Sequence, residues 1–380
     1  IATNKVSYLL FINPTEVKDK NKTIQLLSSL LNASVASVSS KLVPDKLWVP
    51  IQAGLYSKKK EEIEKIRLPG VGFEENYSRF YPEASIAAHL VGFVGKNEAG
   101  QDKGYVGLEG FYDRLLRGKE GYAVELHDAL GRPILSKRME NTRGSNGGNL
   151  SLTLDRSVQF LAEQKLKDAV ERYGALGGMV GIMDPSNGDI VAMASFPSFS
   201  PKSYWKYDES LYVNPFITHT YEPGSTLKPI VMASALDAGL ITPQTKCNIC
   251  AGPISVSGYD LHTWNNKYYK DTNMIEVIQH SDNTGMVFVA LRLGVGKMIS
   301  YLTSFGIGEL TNIDLQGEIA PPFKPRNAWY GVDLATTGFG QGISVTPIEL
   351  LTAFTALANE GKIVQPRVVK AFENANGEIL

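Results

Sequence analysis

Cysteine is nearly absent: Cys247 and Cys250 are the only two in 380 residues. A lone Cys-x-x-Cys excludes a disulfide-dense scaffold, and without a second pair it makes no zinc ribbon. His262 lies close enough in sequence to be a third metal ligand, but no fourth declares itself. A loop disulfide, free thiols and a metal therefore stay open for this pair. An excess of positive charge is also missing. Lysine and arginine number 38 against 39 acidic residues, a net charge of −1, which argues against nucleic acid as the main partner. No run of about 18 apolar residues occurs, so no segment reads as spanning a bilayer. Nor is there a signal peptide, and the opening Ile1-Ala2-Thr3-Asn4 reads as the interior of a larger protein.

What is present suits two or three domains with a real core: 380 residues, of which 43% are hydrophobic. Residues 6–12 form an apolar strand, 22–31 a helix, and 57–66 a charged amphipathic helix. Glycine then punctuates the chain from Gly92 to Gly110 without opening a helix after a strand, so a phosphate loop is excluded. The polar run 144–148 (GSNGG) marks the domain boundary, giving domains at 1–145 and 149–380. Beyond it, residues 150–154 alternate as a strand, and Asp155 caps a helix reaching about Tyr173. Residues 177–183 and 189–194 are strands joined by the turn Pro185-Ser186-Asn187-Gly188. Further on, helices are expected at 274–279, 286–293, 298–305 and 347–358, a glycine-rich turn at 336–345, and the start of a strand at 364–369. Together these elements describe an α+β fold, a helical cluster packed on an antiparallel sheet.

The stretch from Tyr221 to Pro229 (YEPGSTLKP) carries the chemistry. Ser225 and Lys228 are spaced to share one face of a helix. A neutral lysine amine can take the proton that keeps a serine hydroxyl from acting as a nucleophile. Burial lowers a lysine's pKa toward that neutral form. Pro229 has no N–H, so the Ser225 carbonyl loses its helical partner and the first turn should tighten or kink. The spacing alone proves little, because Ser57–Lys60 and Ser203–Lys206 repeat it. Ser57 opens a solvated charged face and Ser203 lies in an aromatic loop, whereas only Ser225 has a turn before it and an apolar helix after it.

Ser281-Asp282-Asn283 is the one Ser-x-Asn in the chain. Its bland reading is a helix N-cap, for which all three residue types are favoured. Its chemical reading is a second hydroxyl that carries a proton to a leaving nitrogen, beside an amide that grips a substrate amide. Paired with Ser225 and Lys228 in the same domain, the chemical reading prevails.

Together these motifs resemble the serine penicillin-recognising enzymes, and among them the class B penicillin-binding proteins. Tyr221–Pro229, residues 338–342 (GFGQG) with Thr346-Pro347, and residues 184–194 (DPSNGDIVAMA) resemble that family's transpeptidase domain. Residues 79–82 (RFYP), Gly107-Leu108-Glu109 and residues 118–121 (GKEG) resemble its N-terminal pedestal, a mixed α/β domain. The likeness is closer to division-type than to elongation-type members. It implies a peptidoglycan D,D-transpeptidase that acts on stem peptides ending D-Ala-D-Ala. Ser225 would be the nucleophile, Lys228 its base and Ser281 a proton relay, with Asn283 holding the substrate or the lysine. β-Lactams would acylate Ser225. No metal or cofactor is implied. A membrane glycosyltransferase and division or elongation proteins are the implied partners. The implied location is the extracytoplasmic face of the bacterial cytoplasmic membrane, through an N-terminal anchor that this sequence does not contain.

One motif of the family is missing. Lys-Thr-Gly or Lys-Ser-Gly occurs nowhere, so the C-terminal strands that edge the cleft are expected to lie beyond Leu380. Loss of an oxyanion donor costs on the order of 10²–10³ in rate. Two other readings share the fold: a non-catalytic division or elongation scaffold, and a penicillin-hydrolysing relative, for which residues 1–145 would be superfluous.

Overall fold

Alternating apolar residues build the first sheet of the computed structural model, which describes residues 1–42, 46–118, 122–123, 141–142 and 144–379. Strand Thr3–Ile12 turns Leu10 and Ile12 fully inward. It pairs antiparallel with Val49–Leu55 on one side and Val71–Phe80 on the other. Helix Lys20–Leu31, N-capped by Asp19, adds Ile24 and Leu27 to the same core, and helix Ser57–Glu64 adds Ile63. This body ends at Ala84.

The second body begins at Ser85, well ahead of the glycine run at 144–148. Residues 85–118 belong to it by packing. Phe93 stacks on Tyr204 with ring centroids 4.0 Å apart, and His89 meets Phe199 edge-on. The glycine run, read from the sequence as the domain boundary, is a close-packed seam inside the second body. Gly148 donates its N–H to Leu115, and a Cβ on Gly147 would lie 1.8 Å from the Leu116 carbonyl. Beyond Gly118, the GKEG motif lies outside the described residues.

The rest of this body is a helical cluster beside antiparallel strands. Gly178–Met183 pairs with Ile190–Phe196 across the expected turn, and Asn149–Leu152 pairs with Val369–Glu373. Asp155 caps helix Arg156–Tyr173, whose Leu166 and Val170 pack on Ala194. The main core gathers Ile230, Val231, Met286, Val289, Ala335 and Ala353 from four helices. Two expectations shift. Helix Gly331–Thr337 occupies the start of the stretch read as a glycine-rich turn, because Asp333 bonds back to the Tyr330 N–H and starts a helix there. The last strand begins at Val369 and not near 364. The Asp314 carboxylate holds the Val368 and Val369 amides just before pairing starts.

Asn283–Ser304 is the one described helix long and apolar enough to cross a membrane by length and composition. Gly294 interrupts it with non-helical angles (φ 71°, ψ 159°), leaving the two pieces foreseen from the sequence. Half of its apolar window is buried inside the protein, so it serves as a core helix.

His89 is 5% exposed, and burial pushes its imidazole down to about 4. The unfolded chain takes up that proton near pH 6.5, whereas the folded chain resists it until about 4. The stability His89 contributes is therefore full above pH 6.5 and is lost as pH falls from 6.5 to 4, by about 3 kcal/mol. Melting curves of wild type and His89→Phe across that window should diverge, with the shallower pH slope in the variant. Parallel slopes would remove His89 from the account.

Candidate active site

Ser225 sits on a tightened turn. Gly224–Leu227 is a single 3-10 turn that runs into helix Lys228–Asp237. With no N–H on Pro229, the Ser225 carbonyl accepts instead from the Lys228 N–H. Ser225 itself is exposed. The helix is sunk in the core, with Ile230, Val231 and Ala235 fully buried, and it carries Lys228 down with it to 2% exposure.

The Lys228 ammonium has three donors and meets three acceptors: the Ser281 carbonyl at 2.7 Å, Ser281 Oγ at 3.0 Å and Asn283 Oδ1 at 2.8 Å. Ser281 Oγ in turn reaches Ser225 Oγ at 3.1 Å. Among the described residues no direct hydrogen bond joins Ser225 to Lys228, and Ser281 bridges them. Burial lowers the Lys228 amine to about 8, and the negative charge of Asp282 partly opposes that shift.

Both readings of Ser-x-Asn hold at once, for different residues. Asp282 is the N-cap of the long helix, accepting from the Thr284 N–H and hydroxyl. Ser281 and Asn283 flank it and face the cleft. Asn283 has both polar groups engaged, its oxygen on Lys228 and its nitrogen on the His262 carbonyl. Ser281 adopts a left-handed backbone (φ 50°) where helix Met274–Gln279 closes, with Asp282 N–H bonding back to Val277. That closing position ordinarily takes glycine. A serine there stores on the order of 1–3 kcal/mol of strain, a cost that collects at functional sites.

A cleft of about 560 Å³ opens over these groups, lined by Ser225, Ser281, Asn283, Trp264, Phe339 and Gln341 among others. Phe339 and Gln341 of the 338–342 loop line it too, and a chain of contacts places that loop. Burial pushes the Glu349 carboxyl up, while Thr346 and Gly308 bond it at the start of helix Pro347–Ala358. Next to Thr346, Val345 exchanges both backbone hydrogen bonds with Tyr221, and Gly340 accepts from the Gly224 N–H.

Cys247 and Cys250 are joined as a disulfide, which resolves the pair left open by the sequence. His262 bonds Tyr268 through Nδ1.

Residues 178–378 match the penicillin binding protein transpeptidase domain, and residues 1–152 match the penicillin-binding protein dimerisation domain. The chain belongs to the class B penicillin-binding proteins. Among curated relatives of this class B protein, stage V sporulation protein D of Bacillus subtilis is 35% identical over 97% of the chain and 57% of that protein. The probable peptidoglycan D,D-transpeptidase PenA of Neisseria meningitidis is 31% identical over 93% of the chain and 60% of its own length. Peptidoglycan D,D-transpeptidase FtsI of Escherichia coli is 27% identical, over 93% of the chain and 59% of that protein. The chain thus spans a little under or about three fifths of these relatives. The fold also matches penicillin binding protein 2X of Streptococcus thermophilus, with a TM-score of 0.79 at 24% identity over all of this chain and 60% of that one.

All four residues singled out in the sequence of this class B protein come together around one cleft. The 338–342 motif was recognised, but its place in the cleft and its ties to the turn that carries Ser225 were missed, since they join residues as far as 120 apart and leave no local pattern. A serine where a helix closure calls for glycine was the one signal that could have strengthened Ser281 in advance.

Proposed function

We propose that this chain is the catalytic and pedestal portion of a peptidoglycan D,D-transpeptidase, with residues 1–145 as pedestal and 149–380 as the penicillin-binding domain. The observation that carries the reading is the hydrogen-bonded chain from Ser225 Oγ through Ser281 Oγ to the buried Lys228 amine. The Ser225 oxygen attacks the carbonyl carbon of the penultimate D-alanine in a stem peptide ending D-Ala-D-Ala. Its proton passes toward the neutral Lys228, directly or through Ser281. The tetrahedral intermediate then collapses, the C–N bond breaks, and the departing D-alanine nitrogen takes that proton. An amine of a neighbouring stem peptide attacks the resulting ester, forms the cross-link and returns a proton to Ser225. A β-lactam follows the first half only, because its opened ring stays attached and shields the ester. Asn283 holds the lysine in place and borders the peptide's path.

A division-type role is favoured over elongation, on the likeness to the FtsI and sporulation proteins. We place the site on the extracytoplasmic face of the cytoplasmic membrane, held there by an N-terminal anchor and partnered by a membrane glycosyltransferase. The Cys247–Cys250 disulfide suits an oxidising compartment. The test is intact mass after penicillin treatment of the full-length protein. A gain of one drug mass, mapped to the peptide holding Ser225, is expected. No adduct, or an adduct elsewhere, overturns the reading.

A further inference from the structure

The 338–342 loop holds an amide with nothing to bind. Gln341 lines the same cleft as Ser225, Ser281 and Asn283. Its side chain is exposed and makes no hydrogen bond among the described residues. Asn283, the cleft's other amide, is taken up by Lys228 and His262. A peptide lying in the cleft presents backbone N–H and C=O groups that lose water on entry and need partners. A free carboxamide, with two donors and one acceptor, can pair with both.

Gln341 is also held in place. Its neighbour Gly342 donates its N–H to Glu222 Oε1 at 2.9 Å, and Glu222 stands three residues before the nucleophile. On the other side, Gly340 accepts from Gly224 and packs so closely that a Cβ there would lie 2.0 Å from the Gly224 carbonyl. Both neighbours of Gln341 are thereby tied to the turn that carries Ser225. Movement of the side chain relative to the nucleophile is restricted to its own rotamers.

We propose that Gln341 hydrogen-bonds the backbone of the acyl-donor peptide, and that Glu222 is a positioning residue that fixes Gln341 relative to Ser225 through the Gly342 amide. This rests on the transpeptidase reading and adds to it the residue that recognises the donor chain. Binding should suffer more than chemistry, since the contact lies on a part of the peptide that does not react.

The experiment follows D-alanine release from diacetyl-L-Lys-D-Ala-D-Ala by the full-length protein. Gln341→Ala should raise KM about tenfold and leave kcat within twofold. Glu222→Ala should shift KM in the same direction. Glu222→Gln keeps an acceptor oxygen for Gly342 and should return KM to within twofold of wild type. Penicillin labelling at saturation should stay at one per molecule in every variant, which reports an intact fold and nucleophile. An unchanged KM in Gln341→Ala, or a fall confined to kcat, overturns the proposal. Equal impairment by Glu222→Gln and Glu222→Ala removes Glu222 from it. If wild type itself takes no penicillin, the transpeptidase reading has failed and not this refinement.

Discussion

Replacing Lys228 with methionine should slow acylation of Ser225 by penicillin by about 10³- to 10⁴-fold, the upper part of the range for losing a positioned base. Methionine is of similar length and suits an apolar helix, so the fold should survive. What disappears is the one group that connects to Ser225 through Ser281 and can accept a proton. The wild-type rate should carry that group's titration. Only the neutral amine takes a proton, and with a value of about 8 roughly one lysine in ten is neutral at pH 7. Acylation should therefore climb with pH from 6 and level off above about 8, with a single proton lost. Stability should follow the same group. The folded pKa of about 8 lies below the ordinary 10.5, so the unfolded chain binds more protons between those values. The cost of burying the charge is fully present below pH 8, about 3 kcal/mol, and is lifted as pH rises toward 10.5. Stopped-flow labelling with a fluorescent penicillin between pH 6 and 9 reads the first effect, and thermal melts of the two proteins read the second. A methionine variant that keeps a rate within tenfold of wild type would end the role assigned to Lys228.

Gly340→Ala should be nearly as damaging, for a purely steric reason. The residue has φ +81°, and its added Cβ would meet the Gly224 carbonyl at 2.0 Å and the Gly224 nitrogen at 2.6 Å. The left-handed backbone alone costs about 1–2 kcal/mol for alanine. The clash adds a further 1–3 kcal/mol, because the obstacle is backbone and cannot rotate away. The melting temperature should fall by about 5–10 °C in a body of this size. Acylation should fall at least tenfold, since what must move is the turn holding Ser225. Gly174→Ala is the control, with φ +61° and nothing within 4 Å of its Cβ. It should cost about 1 kcal/mol and leave labelling untouched. Equal acylation rates in the two variants would show that the 338–342 loop does not govern the nucleophile turn.

Much of this molecule is written locally. Asp155 before an apolar-periodic run caps a helix, and the structure places the cap there. Pro185-Ser186-Asn187-Gly188 turns the hairpin. Helices 274–279 and 347–358 start and stop where their caps and periodicity say. Ser225 and Lys228 were legible for the same reason, since a separation of only three residues, across a 3-10 turn that runs into a helix, keeps them close. Helix Gly331–Thr337 was hidden by the glycines and threonines at its end, which carry turn preference of their own. The seam at 144–148 was hidden because glycine serves flexible linkers and tight backbone contacts alike, and only the neighbouring chain tells which.

The order of amino acids alone carried the residue types at the site, the caps and turns that present them, and the family they belong to. It did so because each of these depends on a few adjacent residues, and backbone sterics and hydrogen bonding act alike in any surroundings. Tertiary packing alone puts Ser281 between Ser225 and Lys228, commits Asn283 to the lysine, and lets Glu222 and Gly340 tie the 338–342 loop to the turn that carries Ser225. Those relations join segments 53 to 120 residues apart, where packing, not chain connectivity, sets which atoms meet. The lowered pKa of Lys228 belongs with them, since it comes from the removal of water by a core that no local stretch contains.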